Sequence, residues 1–181
     1  DLVGKTLGII GAGRIGTAMA MRSRGWCMKV LYTTQISRNT VLEEMLGAKR
    51  VDLEMLLKES DFISLHAPLS EKTKHLIGVK ELSLMKRTAY LINTGRGAVI
   101  DEEALVYALK NKQIAGAGLD VYEEEPKLKP GLAVLDNIVL APHLGSATVE
   151  TRTKMSLMSA ENIIAVLKKQ KPNNCVNPEV F

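Results

Sequence analysis

The run Gly11-Ala12-Gly13-Arg14-Ile15-Gly16 follows an apolar segment ending at Ile10 and opens a helical pattern containing alanines. Between a strand and a helix, each glycine has a mechanical use. Gly11 permits the tight turn, Gly13 lets the backbone approach a pyrophosphate, and Gly16 lets the helix lie close to the strand. The helix N-terminus, with unpaired N–H groups and a positive dipole end, then faces an anion. Three further stretches hold groups suited to acid–base and anion chemistry: Asn93-Thr94-Gly95-Arg96-Gly97, Leu119-Asp120-Val121-Tyr122-Glu123-Glu124-Glu125-Pro126, and Ala141-Pro142-His143-Leu144-Gly145-Ser146-Ala147-Thr148. Arginine offers a planar fork of donors for a carboxylate, and histidine changes charge near neutrality.

The elements that must position these groups read as an alternation of short apolar runs and helical patterns, which argues for a parallel sheet with crossover helices. Strands are expected at 5–10, 27–33, 49–51, 61–65, 89–93, 115–121 and 137–141. Helices are expected at 14–24 with Gly25 as C-cap, 40–46 ending at Gly47, 53–60 capped by Asp52, 79–85, 101–111 and 149–169. The fold class is α/β, a Rossmann-type doubly wound parallel sheet in three layers, helix/sheet/helix. Residues 1–169 form the dinucleotide-binding domain, and 170–181 a crossing segment. Each of the three chemical stretches begins at the carboxyl end of an expected strand. Open parallel sheets place their ligands at that edge, so Arg96, Glu125 and His143 can converge on one crevice although distant in sequence.

The end of the second strand decides which dinucleotide is held, because an Asp or Glu there would accept the ribose hydroxyls. This chain has Thr33-Thr34-Gln35-Ile36-Ser37-Arg38-Asn39 instead. Hydroxyls at Thr33, Thr34 and Ser37 and a guanidinium at Arg38 suit a 2′-phosphate, so NADP(H) is preferred and NAD(H) is possible.

Composition agrees with a globular protein: 46% of the 181 residues are hydrophobic and 24% charged. Cys27 and Cys175 are too few and too distant for a disulfide framework or a metal cluster, and the expected location is the cytoplasm. No apolar run has a membrane-spanning length and no signal peptide opens the chain. A net charge of +4 accompanies scattered cations with four Tyr, two Phe and one Trp, which argues against nucleic acid as a partner. The chain begins at Asp1 without a Met and reads as an excised piece.

The four stretches GAGRIG, NTGRG, LDVYEEEP and PHLGSAT, in this order across essentially the whole chain, resemble the D-2-hydroxyacid dehydrogenase family. The form PHLGSAT, the following Thr151-Arg152 and Met155-Ser156-Leu157, and the non-acidic second strand are most similar to glyoxylate/hydroxypyruvate reductases. The resemblance implies that Arg96 holds the substrate carboxylate and polarises the neighbouring carbonyl. It implies that His143 is both acid and base, and that Glu125 pairs with it; Glu123 and Glu124 are left as surface residues. It also implies that His66, Ala67 and Pro68 line the adenosine pocket, that Thr73 reaches a phosphate, that Asn93 and Thr94 meet the nicotinamide-side ribose, and that Asp120 and Ser146 lie at the carboxamide. Arg14, Ile15, Gly95 and Gly145 join the cofactor-binding set through the matching motifs.

In the family a substrate domain accompanies this one, so the chain alone is expected to bind cofactor without appreciable turnover of a small 2-keto or 2-hydroxy acid. The resemblance implies a homodimer through this domain. Two alternatives stay open: a phosphoglycerate dehydrogenase-like enzyme, and a dinucleotide-sensing interaction module of the corepressor type.

Overall fold

The computed structural model describes residues 1–35 and 37–180. Ile36, inside the run after the second strand, and Phe181, the end of the expected crossing segment, lie outside them. The chain forms two compact units, 1–142 and 143 onward.

The first unit is built on seven parallel strands: β1 (Thr6–Ile10), β2 (Lys29–Thr33), β3 (Lys49–Arg50), β4 (Phe62–Leu65), β5 (Tyr90–Asn93), β6 (Gly116–Leu119) and β7 (Ile138–Leu140). Their order is β3-β2-β1-β4-β5-β6-β7. Parallel neighbours need a crossover. Helices α1 (Arg14–Ser23), α2 (Thr40–Leu46), α3 (Leu53–Glu59), α4 (Val79–Leu84) and α5 (Glu102–Lys110) supply those from β1 to β6. The chain winds outward from β1 to β3, returns to β4 beside β1, and then winds the other way. This is the expected doubly wound arrangement, and the reversal leaves a crevice between the carboxyl ends of β1 and β4.

Strand β1 shows why helices cover both faces. Leu7 and Ile9 pack in one cluster with Ala20 of α1 and Leu42 of α2. Ile10 packs in the other with Leu56 and Leu57 of α3, Leu82 of α4, and Leu105 and Leu109 of α5. Burial on both faces explains the near-continuous apolar run of β1. The exception, Gly8, makes room for α3: a Cβ there would stand 2.3 Å from Ser60 Oγ and 2.6 Å from Leu56 Cδ2.

Asn39, Asp52 and Asp101 cap α2, α3 and α5, each accepting an N–H three residues on. Gly47 ends α2 with φ 61°. The expected cap at Gly25 is not formed. Helix α1 stops at Ser23, a 3-10 turn covers Arg24–Trp26, and the left-handed residue is Cys27, φ 52°. The chain takes one more right-handed turn, which places Gly25 inside it.

The second unit contains α6 (Val149–Leu167), capped by Thr148, and a 3-10 turn at Pro178–Val180. Its tail returns to the helix where Asn174 N donates to Asn162 Oδ1 at 3.4 Å. No helix among the described residues is long and apolar enough to cross a membrane.

Candidate dinucleotide groove

The glycine loop is held by main-chain contact. Gly11 has φ 96°, and a Cβ on it would lie 2.6 Å from Ala67 N and 2.7 Å from the His66 carbonyl carbon. A Cβ on Gly16 would stand 2.2 Å from Gly11 O. Gly13 differs: its φ is −77°, and a Cβ there would meet no atom within 4 Å. Arg14 and Ile15 are exposed beside it. Helix α1 starts at Gly13 with no side-chain cap and no acidic residue in its first turn. The amides of that turn are therefore left for a ligand, at the positive end of the helix. The loop is also tied to α2, because Asn39 Nδ2 donates to Ala12 O at 3.0 Å and to Thr17 Oγ1 at 2.7 Å.

Beside the loop lies a cavity of about 470 Å³ lined by Gly11, Gly13, Thr33, Thr34, His66, Ala67, Pro68 and Thr73, together with Ile10, Gln35, Leu53, Ser70 and Leu76. None of those last five was a candidate from the sequence; Leu53 and Leu76 also pack against the hydrophobic core. A second hollow of about 430 Å³ is lined by Ile15, His66, Ala67, Pro68, Leu69, Thr94, Gly95 and Arg96. His66, Ala67 and Pro68 line both, so one groove follows the carboxyl edge of the sheet from the end of β2 to Arg96. His66 Nε2 is 2.9 Å from Ser64 Oγ, and burial holds its pKa below the ordinary histidine value. A neutral imidazole therefore lines the groove near neutral pH. The Thr73 hydroxyl donates to Pro68 O at 2.6 Å and accepts from Ser70 N at 2.8 Å. Its single proton is committed to shaping the wall.

At the β2 end, Thr33 and Thr34 are half-buried in the wall, whereas Ser37 and Arg38 are exposed and do not line the cavity. Arg38 grips Glu43, with Nε 3.0 Å and Nη2 2.5 Å from Oε2. Tyr32 donates its hydroxyl to Glu43 Oε1 at 2.7 Å. The Arg38 guanidinium holds the Glu43 carboxyl below the usual range, helped by the Tyr32 hydrogen bond. The cation expected to await a 2′-phosphate thus has a carboxylate partner.

At the other end, Asn93 is buried, and its amide organises the loop that carries Arg96. Asn93 Oδ1 accepts from Gly95 N at 3.0 Å and Nδ2 donates to Arg96 O at 3.0 Å. Thr94 and Arg96 are exposed, and Gly95 is half-buried. Gly97 lies on the chain after β6, where a Cβ would stand 1.9 Å from the Tyr122 carbonyl carbon. That contact brings the Arg96 loop against the segment leading to Glu125. Glu125 Oε1 accepts from Tyr122 N at 3.1 Å, and the Glu125–Pro126 peptide is cis. Asp120 is buried, its N–H donating to Asn93 O at 2.9 Å.

Glu123 is not the surface residue the sequence implied. Its side chain is 12% exposed and pairs with His75 and, at 3.3 Å, with Lys129. Its N–H donates at 3.0 Å to Glu102, a carboxylate 2% exposed whose pKa burial pushes up. Sequence reasoning missed this because charged residues in a loop or first helical turn look solvated until another loop covers them. His143, Gly145 and Ser146 belong to the second unit. His143 follows β7 by three residues and has φ 55°.

An open approach at Gly13, an uncapped helix N-terminus and a long groove at the sheet's switch point fit a ribose–pyrophosphate chain. Together they define a dinucleotide-binding α/β domain. The model of the D-isomer specific 2-hydroxyacid dehydrogenase NAD binding domain matches residues 1–145, and the chain belongs to that family. It is 57% identical over 180 residues to a glyoxylate reductase of Thermococcus litoralis, covering 99% of this chain and 54% of the relative. It is 54% identical over 182 residues to one of Korarchaeum cryptofilum, with the same two coverages of 99% and 54%. A solved NADPH-dependent glyoxylate/hydroxypyruvate reductase of Sinorhizobium meliloti, in complex with NADP and malonate, aligns with TM-score 0.88 and 36% identity over 100% of this chain and 56% of that one. The chain spans about half the length of the curated relatives it matches.

Proposed function

We propose that the chain is the cofactor half of an enzyme that moves hydride reversibly between NADP(H) or NAD(H) and a small 2-keto or 2-hydroxy acid, as a glyoxylate/hydroxypyruvate reductase does. The single observation that carries this reading is the continuous groove from Thr34, past the uncapped start of α1, to Arg96. A bound nicotinamide cofactor supplies the hydride. Arg96 holds the substrate carboxylate with its fork of donors and orients the carbonyl. His143 gives a proton to the carbonyl oxygen during reduction and takes it from the hydroxyl during oxidation. Glu125 pairs with His143 and fixes its tautomer. Asn93 and Gly97 act through the main chain, setting where Arg96 and the Glu125 segment meet. NADP(H) is the preferred cofactor, supported by the absence of a carboxylate at Thr33-Thr34 that would repel a 2′-phosphate. The expected assembly is a homodimer, read by light scattering.

The test is a panel of glyoxylate, hydroxypyruvate and 3-phosphohydroxypyruvate with NADPH and NADH. This chain should bind nucleotide, and a protein joining it to the substrate domain that the resemblance implies should reduce glyoxylate or hydroxypyruvate. In that protein Arg96→Lys should raise KM for the keto acid and His143→Gln should lower kcat at least about 100-fold, the range general acid catalysis contributes. Nucleotide binding with no turnover of any 2-keto acid refutes the enzyme reading and favours a dinucleotide-sensing module.

A further inference from the structure

Asn39 is not among the residues lining the cavity, yet both hydrogens of its side-chain amide go to the glycine loop and the helix that follows it. Nδ2 donates to Ala12 O at 3.0 Å and to Thr17 Oγ1 at 2.7 Å, and the Thr17 hydroxyl itself reaches Ala12 O at 3.4 Å. The amide is not free to turn over, because its Oδ1 accepts from Leu42 N at 3.1 Å. The main chain of Asn39 is fixed as well: its N–H donates at 3.0 Å to the hydroxyl of Tyr32, a fully buried residue. The end of β2, the start of α2 and the glycine loop therefore meet at one residue.

A planar trans peptide points its carbonyl oxygen and the following N–H in opposite directions. With Ala12 O drawn toward Asn39, the N–H of Gly13 points away from Asn39, and Gly13 lines the cavity. Glycine offers no resistance of its own to the reversed plane, which would carry it to positive φ. That leaves the donors on Ala12 O to hold the plane. We infer that Asn39 is a positioning residue for the pyrophosphate of the cofactor: by holding Ala12 O it keeps the Gly13 N–H turned toward the ligand. The inference rests on the dinucleotide reading above and deepens it with a residue at the start of α2 that meets no ligand itself. A nucleotide binds only the fraction of molecules whose peptide is correctly turned, so losing the lock lowers the apparent affinity by that fraction.

The experiment titrates NAD⁺, NADP⁺ and adenosine into the wild-type chain and into Asn39→Ser and Asn39→Asp, with a urea melt and a proton–nitrogen correlation spectrum of each. Serine and aspartate cap helices about as well as asparagine, and neither carries the Nδ2 donors. Asn39→Ser should lose about three- to tenfold in affinity for NAD⁺ and NADP⁺ alike, the worth of one net hydrogen bond, with adenosine unchanged within about twofold. Asn39→Asp should lose at least as much, and in both variants the Gly13 amide signal should shift or broaden. An unchanged Gly13 signal, or wild-type affinity for NAD⁺ and NADP⁺, in a folded Asn39→Ser chain overturns the assignment and leaves the dinucleotide reading intact. A loss for adenosine equal to that for the dinucleotides, or a loss confined to NADP⁺, overturns it too, since either marks a role in the adenosine wall. A loss in Asn39→Asp alone does the same, being the work of the added charge. A wild-type chain that binds neither dinucleotide overturns the dinucleotide reading and the assignment with it.

Discussion

Replacing Gly13 by alanine separates the ligand role of the glycine loop from its structural role. The residue has φ −77° and ψ −163°, extended values open to any L-residue, and a Cβ would meet nothing within 4 Å. Restricting the unfolded chain by Gly→Ala stabilises by about 0.4–1 kcal/mol where the native conformation is compatible. Gly13 is also the N-cap of α1, a position where alanine is inferior to glycine by an amount of similar size, roughly 0.5–1 kcal/mol. The two nearly cancel, so the denaturant midpoint should move by less than about 0.5 kcal/mol equivalent. Binding should respond differently. The new methyl group would stand in the approach to the first-turn amides and push a pyrophosphate oxygen beyond hydrogen-bond reach. Losing one charge-assisted hydrogen bond costs about 1.5–3 kcal/mol, or roughly 10–100-fold in Kd. NAD⁺ and NADP⁺ should lose affinity equally, because the pyrophosphate is common to both. Calorimetric titration beside a urea melt reads the two effects on one sample. Dinucleotide affinity within twofold of wild type would show that the loop is a glycine turn without a ligand, and a stability loss above about 2 kcal/mol would show that the packing argument is wrong.

Gly16→Ala should behave in the opposite way: its Cβ would collide with Gly11 O at 2.2 Å, so a stability loss of about 1–3 kcal/mol should appear in the urea melt even without nucleotide. Ser60 Oγ is the one buried side-chain polar atom without a hydrogen-bond partner among the described residues, so Ser60→Ala should be neutral or stabilising by about 1 kcal/mol; a clear loss of midpoint would reveal an unseen partner. For Glu102, burial raises the native pKa above the ordinary value of 4.5, so the native state holds more protons than the unfolded chain from about that pH upward. Its contribution to stability therefore falls as pH rises through that window. Glu102→Gln, which keeps an oxygen acceptor for Glu123 N, should lose that part of the pH dependence in melts between pH 4 and 8. A variant with the wild-type slope would refute the buried-carboxylate account.

Much of the frame was legible because its causes are local. The glycine loop between strand and helix, the cap at Asp52 and the stop at Gly47 each depend on neighbours within a few residues, and the structure keeps all of them. Gly25 misled because a glycine marks permission for a left-handed residue, not an obligation, and Cys27 adopts that conformation two residues later. The groove was harder to read in proportion to the sequence distance of what makes it. Glu123 looked solvated until His75, Lys129 and Glu102 closed around it from segments up to 48 residues away. The common element is the main chain: Gly11 against Ala67, Gly97 against Tyr122, Asn39 on Ala12 O and Arg50 on Thr34 O all join segments through backbone atoms. Every residue presents those atoms, so side-chain types cannot announce them. Side-chain motifs therefore name the groups that meet a ligand, while the glycines and amides that bring those groups together have to be found in the fold. For that reason Asn93→Ala, which removes the two hydrogen bonds holding the Arg96 loop, should impair nucleotide binding and weaken the urea midpoint by about 1–3 kcal/mol even though Asn93 is almost wholly buried.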